Sequence, residues 1–307
     1  VKPDTLIVYN LCGLRKDNTK TWLHNIEGFL NDKDSFDFCI SACNLKQSTK
    51  ESFKKYFENK KVKLHFVDDV LPVNITFNFA CKINPGYKYY LYCASDVNIL
   101  SSTKVVTKLK NFHVKNNNAI TGGYVLGDTF APNYNSYKEI LKKGENVTFK
   151  MGESFNAHFI LYDAVLLKHF NALMPDIFRS WCTESVFSFV CASLGKNLGM
   201  LNAVDVTLFH PESSNDLDGS SAGFQSHQGP YDLFNSKQGA KERLMSKEAY
   251  DVGFGYEECK NLFRHNPEMY KNNKHINPTK LLNFVKKAVY LTKEEFDYTK
   301  IKHERCY

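Results

Sequence analysis

Four short apolar runs, at residues 5–10, 36–42, 62–67 and 89–93, alternate with stretches whose apolar residues recur at helical spacing. That alternation constrains the fold more than any other feature of the chain. The runs are nearly continuous in apolar character, as strands buried on both faces of a parallel sheet are, and parallel neighbours need a crossover helix between them. The intervening stretches supply those helices. Trp22, Ile26, Phe29 and Leu30 follow the first run, and Phe53, Tyr56 and Phe57 follow the second, behind Ser48-Thr-Lys-Glu51, which has the form of a capping box. Ile75, Phe79 and Ile83 follow the third and stop at Pro85-Gly86. The expected architecture is α/β, a Rossmann-type sheet flanked by helices.

The fourth run carries the most chemistry. Tyr89-Tyr-Leu-Tyr-Cys-Ala-Ser-Asp-Val-Asn-Ile-Leu100 reads as a buried strand that delivers Ser95 and Asp96 to its C-terminal end, the end where ligands sit in open α/β sheets. Beyond it, Val105, Leu109 and Phe112 mark a helix, and residues 119–126 a strand. Residues 127–153 are polar and without periodicity, the pattern of a long surface excursion. A strand at 155–162 leads to a helix capped by Asp163 and broken at Met174-Pro175. Phe187, Val190 and Leu194 mark a helix ending at Gly195, and a last strand at 200–209 stops at His210-Pro211. Composition then shifts to Ser, Gly, Asn, Asp and Gln. The expected organisation is a catalytic domain over 1–211, a flexible loop or lid over 212–240, and a helical extension over 241–307 packed on the core, with Leu281, Phe284, Val285 and Val289 on one helix face.

With 307 residues, 43% of them hydrophobic, the chain can bury a large core, and no apolar run reaches the roughly 20 residues of a membrane-spanning helix. Nine cysteines, an odd number with no Cys-x-x-Cys pair and most of them inside apolar runs, point to buried thiols in a cytoplasmic or otherwise reducing compartment. The start at Val1 in place of Met leaves room for a targeting segment upstream. A net charge of +7, with an excess of basic residues in the tail, suits an anionic ligand such as a nucleotide diphosphate, or a solvated helical surface. Lys54-Lys55-Tyr56 with Lys60-Lys61 is too thin an interleaving of cations and aromatics to indicate a nucleic-acid partner.

Four pieces in order resemble the GT-A family of nucleotide-sugar-dependent glycosyltransferases: Ile7-Val-Tyr-Asn10, Asn74-x-x-x-Asn78, Tyr90-Leu-Tyr-Cys-Ala-Ser-Asp96, and the stretch from Cys182-Thr-Glu184 to Gly195. The resemblance covers roughly residues 5–210 and implies a GT-A-like mixed sheet with a C-terminal helical extension. It also implies transfer of a hexosyl or pentosyl group from a UDP-sugar, or another nucleotide sugar, to a glycan or glycoprotein hydroxyl. In that family an Asp-x-Asp motif holds Mn2+ or Mg2+ on the donor diphosphate. Here the first carboxylate falls on Ala94, leaving Asp96, with His210 as the further metal ligand. Asn10, Asn44, Asp68, Asn78, Ser95 and Asp96 are the expected nucleotide contacts, although Asn and Asp at strand ends also serve as turn formers. Glu184, in the place of the family's acidic pair, is the candidate base of an inverting reaction, or else a cap on its helix dipole. Trp181 and Arg179 are the candidate acceptor platform.

Two other classes fit fewer of these residues. A sugar-nucleotide nucleotidyltransferase shares a similar sheet, but it needs a Gly-rich basic loop after the first strand, where Cys12-Gly-Leu-Arg15-Lys16 has one glycine. A non-catalytic carbohydrate- or nucleic-acid-binding module on a decayed transferase fold would account for Ala94.

Overall fold

The computed structural model describes residues 3–12, 19–31, 36–95, 97–99, 104–126, 145–149, 155, 158–176, 186–202, 208–209 and 277–306. In chain order the first half contains β1 (Thr5–Cys12), α1 (Thr19–Leu30), β2 (Asp37–Cys43), α2 (Gln47–Phe57), β3 (Val62–Val67), α3 (Val73–Ile83), β4 (Tyr89–Ala94), β5 (Asn98–Ile99) and α4 (Val105–Lys115). The second half contains β6 (Asn118–Gly123), β7 (Val125–Leu126), β8 (Val147–Phe149), β9 (Phe159–Asp163), α5 (Val165–Phe170), α6 (Phe187–Ser193), β10 (Asn197–Leu201), β11 (Leu208–Phe209), α7 (Pro278–Ala288), a 3-10 turn (Tyr298–Lys300) and β12 (His303–Cys306).

Nine strands form one sheet in the order β12-β3-β2-β1-β4-β9-β6-β10-β8. The four runs read as buried strands pair in parallel as β3-β2-β1-β4, and every residue of β4 is buried. The sheet becomes mixed at β9, which lies antiparallel between β4 and β6, and β12 adds antiparallel to β3 at the opposite edge. The chain winds outward from β1 through β2 to β3, then returns to place β4 on the other side of β1. In open α/β sheets a binding crevice forms at the carboxyl ends of the strands on either side of such a reversal, here β1 and β4.

Several elements differ from the sequence reading. Ser48 does not cap α2: the helix starts at Gln47 with Lys46 as its N-cap, no side chain caps it, and the Gln47 amide donates to Glu51 instead. The polar stretch 127–153 contains a strand, β8, which forms the far edge of the main sheet against β10. The strands expected at 119–126 and 200–209 each divide. Their first parts, β6 and β10, pair in the main sheet, whereas β7 and β11 join β5 in a second, three-stranded sheet.

The tail is not wholly helical. The Asn277 side chain caps α7 by accepting from the Thr279 and Lys280 amides at 3.0 and 3.1 Å, with Pro278 in the first turn, where its missing N–H costs nothing. Leu281, Phe284, Val285 and Ala288 bury the inner face of α7, which packs on α6. The chain then closes as β12.

Candidate active site at the strand-order reversal

β4 ends at Ala94, opposite Asn10, two residues before the end of β1, so Ser95 follows at the carboxyl edge of the sheet where the strand order reverses. Tyr9, fully buried and stacked with Phe38, donates from its hydroxyl to the Ser95 carbonyl at 2.8 Å, and Asn25 of α1 donates to the same hydroxyl at 3.4 Å. The Val97 amide donates back to the Ala94 carbonyl at 3.1 Å, closing a tight turn, and Ser95 and Val97 are both buried. The turn is thus fixed on both sides of Asp96, which itself lies outside the described residues.

Directly after the turn, β5 pairs antiparallel with β11, Asn98 opposite Phe209 and Ile99 opposite Leu208. Phe209 is the residue before His210, so the described flanks of the two expected metal ligands are neighbours although 110 residues separate Asn98 from Leu208 in sequence. His210 lies outside the described residues. So do Arg179, Trp181 and Glu184; the described helix α6 begins at Phe187, three residues beyond Glu184. Among the described residues no group of three His, Cys, Asp or Glu side chains is placed to hold a metal.

The remaining expected contacts have different fates. Asn10 is buried; its amide nitrogen donates to the Val73 carbonyl at 3.0 Å, and its carbonyl oxygen has no partner among the described residues. A buried acceptor left unmet costs about 1–3 kcal/mol, so this oxygen favours a donor arriving in the crevice. Asn44 holds the turn after β2 in the left-handed conformation, φ 54°, with its amide donating to the Val67 carbonyl at 2.8 Å. Asparagine tolerates that conformation better than most residues do. Asp68, after β3, is largely exposed and pairs with Lys50 of α2, whose stem is buried. Lys50 was not apparent from sequence: one lysine among many on a basic helix gives no signal of burial.

Asn78 is a correction. Its carbonyl oxygen accepts from the Leu173 and Met174 amides, each at 3.0 Å, and its nitrogen donates to the Met174 carbonyl at 2.8 Å and the Tyr298 hydroxyl at 3.1 Å. With its hydrogen-bonding capacity spent inside the fold, it has none to offer a base or ribose. Asn74, one helical turn earlier, donates to the Pro175 carbonyl at 2.8 Å. The sequence also gave no sign of Asp176. It is buried, accepts from the Leu291 amide and the Tyr298 hydroxyl, each at 2.8 Å, and burial pushes its carboxyl up to about 6 despite those bonds and the nearby Lys82 amine.

No family model and no curated protein matches the chain. By shape, it is similar to Staphylococcus aureus TarS (residues 1–349) in complex with UDP-GlcNAc, at TM-score 0.56 and 8% identity over 87% of this chain and 72% of that one. It is similar to the mannosyltransferase PcManGT of Pyrobaculum calidifontis, in complex with GDP-Man and Mn2+, at TM-score 0.55 and 9% identity over 92% and 74% of the two chains. It is also similar to GalNAc-T7 with UDP, GalNAc and Mn2+, at TM-score 0.56 and 13% identity, covering 97% of this chain and 57% of that one. The mixed sheet flanked by helices, with its C-terminal helix, is the GT-A fold.

Proposed function

We propose that this chain is a nucleotide-sugar-dependent glycosyltransferase. The observation that carries the reading is the end of β4, where Ser95 and Val97, the neighbours of Asp96 in sequence, are buried and hydrogen-bonded at the point where the strand order reverses, on a fold shared with three sugar-nucleotide enzymes. The nucleoside sits across the ends of β1, β2 and β3, where the Asn10 carbonyl oxygen lacks a partner among the described residues and Asp68 faces solvent. A UDP-sugar is the donor, in keeping with the UDP species bound by TarS and GalNAc-T7.

Asp96 and His210 are the residues that would hold a divalent ion, one oxygen and one nitrogen donor from neighbouring elements, with diphosphate oxygens and water left to complete the shell. Ala94 contributes no ligand, so this chain supplies fewer protein oxygens than two carboxylates would. The ion, Mn2+ or Mg2+, supplies charge neutralisation for the departing diphosphate.

Glu184 takes the proton from the acceptor hydroxyl as its oxygen bonds to the anomeric carbon and the nucleoside diphosphate leaves from the opposite face, so the anomeric configuration inverts. Trp181 and Arg179 bind the acceptor, a glycan or glycoprotein hydroxyl.

A thermal-shift panel of UDP-, GDP-, CMP- and dTDP-sugars, with and without Mn2+, tests the class. Stabilisation by one nucleotide that requires the metal, and that disappears in Asp96→Ala, is expected. A panel with no shift refutes the transferase reading. A sugar-dependent shift with no donor turnover favours instead the binding module that Ala94 suggests.

A further inference from the structure

We propose that residues 290–306 are a pH-operated strap: they open from the core as one unit, leaving α7 in place, and the charge on Asp176 governs the opening.

The strap is fastened to the core at two places. At the first, the Tyr290 hydroxyl donates to the Leu173 carbonyl at 3.3 Å, and its ring stacks on Phe170. The Leu291 amide and the Tyr298 hydroxyl both donate to Asp176 at 2.8 Å, and Asn78 of α3 donates to the same hydroxyl at 3.1 Å. At the second, β12 pairs with β3, His303 packs on Phe79, and the Arg305 guanidinium donates to the Ile83 carbonyl at 3.2 Å. Beyond Leu291 the buried side chains are Phe296, Tyr298 and Ile301, whereas residues 292–295 and 302–305 are exposed. α7, by contrast, buries a whole face against α6. A segment with so little apolar burial opens at lower free energy than the sheet it lies on.

Asp176 brings a proton into that opening. The carboxyl is 3% exposed, and both of its bonds from the strap come from neutral donors. Facing it are the Tyr290 and Tyr298 phenols of the strap, kept protonated by burial and by Asp176 itself, and the Lys82 amine of α3, which Asp297 of the strap also faces. A carboxyl shut away from water favours its neutral form, and opening returns it to water. Burial pushes it up to about 6 from the ordinary 3.8, with Lys82 only partly offsetting the effect. The closed strap therefore keeps a proton that the open strap gives up, so opening increases as pH rises through that window. From pH 4.5 to 7.5 the opening constant should grow about 25-fold. An open strap bares the edge of β3 and withdraws the Tyr298 hydroxyl from Asn78.

Hydrogen exchange on the full chain, expressed as protection relative to the intrinsic rate at each pH, tests the device. Amides of 290–306 are expected to be at least tenfold less protected than those of β1 and β4 at both pH 4.5 and 7.5, and to lose about 25-fold in protection between them. Asp176→Asn should remove that pH dependence, whatever its absolute protection. Lys82→Met, which takes away the cation that favours the ionised carboxyl, should move the pH at which protection levels off upward, and it carries the test if Asp176→Asn unfolds. Equal protection of the strap and the sheet would show that the segment opens only with the whole chain, and overturns the unit. A wild-type strap with no pH dependence, the same dependence in Asp176→Asn, or an unmoved level in Lys82→Met overturns the role of Asp176.

Discussion

Asp176 gives the sharpest test of the physical chemistry inferred for this chain. Its folded-state value of about 6 stands against 3.8 for the unfolded carboxyl, and the cause is complete burial, which two hydrogen bonds and the Lys82 amine only partly offset. Between those two values the native chain keeps a proton that the unfolded chain has lost, so stability must decline as pH rises through the window. The contribution is fully present below about pH 3.8 and is lost as pH passes about 6. The gap amounts to about 3 kcal/mol, of which about 2 kcal/mol falls between pH 4.5 and 7.5. Asp176→Asn removes the titration while preserving shape, and its Oδ1 can still accept from the Leu291 amide. Its nitrogen, however, faces a Tyr298 hydroxyl that already accepts from Asn78, so a constant offset is expected. The offset drops out if urea unfolding is run on both proteins at several pH values. The free-energy difference, wild type minus variant, should fall by about 2 kcal/mol from pH 4.5 to 7.5. A difference that stays flat to within about 0.5 kcal/mol, or rises, refutes the assignment of a buried, proton-holding carboxyl.

Three further outcomes are expected, the first two from the proposed function and the third from the packing of the fold. Glu184→Gln should lower turnover by about 10²–10⁴-fold with donor affinity little altered, and the product should be inverted at the anomeric carbon; a retained configuration would leave Glu184 a positioning group at most. His210→Ala should weaken UDP binding in the presence of Mn2+ but not in its absence, by calorimetry; equal weakening in both would place the imidazole on the nucleotide rather than on the ion. Gly122→Ala should cost about 1–3 kcal/mol in thermal or urea unfolding. The added methyl would meet the Phe155 ring at 2.6 Å, and that ring is confined by Phe149 and Phe187; a neutral variant would mean that the ring can give way.

The parallel half of the sheet was legible because its signals are local. A strand buried on both faces must be apolar along its length, and each of β1 to β4 is a run of that kind bounded by a helix with its own periodicity. The strands that were missed are short and lie at the margins. β12 is His303-Glu-Arg-Cys306, with exposed side chains on its first three residues, and its pairing with β3 depends on backbone bonds to a strand more than 200 residues earlier. Charged residues at a sheet edge discourage further pairing, so the composition that suits such a strand also hides it. β8, of three residues, is too short for any period to show.

The candidate site divides along a similar line, and two asparagines show why. Asn10 and Asn78 both looked like polar groups available to a nucleotide, and both are buried. Nothing in the residue type separates them; what separates them is whether the fold itself answers their hydrogen bonds. Asn78 faces a segment brought over it by contacts with residues 173, 174 and 298, and every donor and acceptor it carries is met there. Asn10 lies near the C-terminal end of β1, between Ser41 of β2 and Ala94 of β4 where the strand order reverses, and among the described residues nothing meets its carbonyl oxygen. A buried polar group satisfied by the chain stabilises one structure, and a buried polar group the chain leaves unmet favours whatever molecule brings the missing donor. On that criterion Asn10 remains a candidate for a ligand contact, whereas the Asn78 amide belongs to the frame that ties α3 to residues 173, 174 and 298.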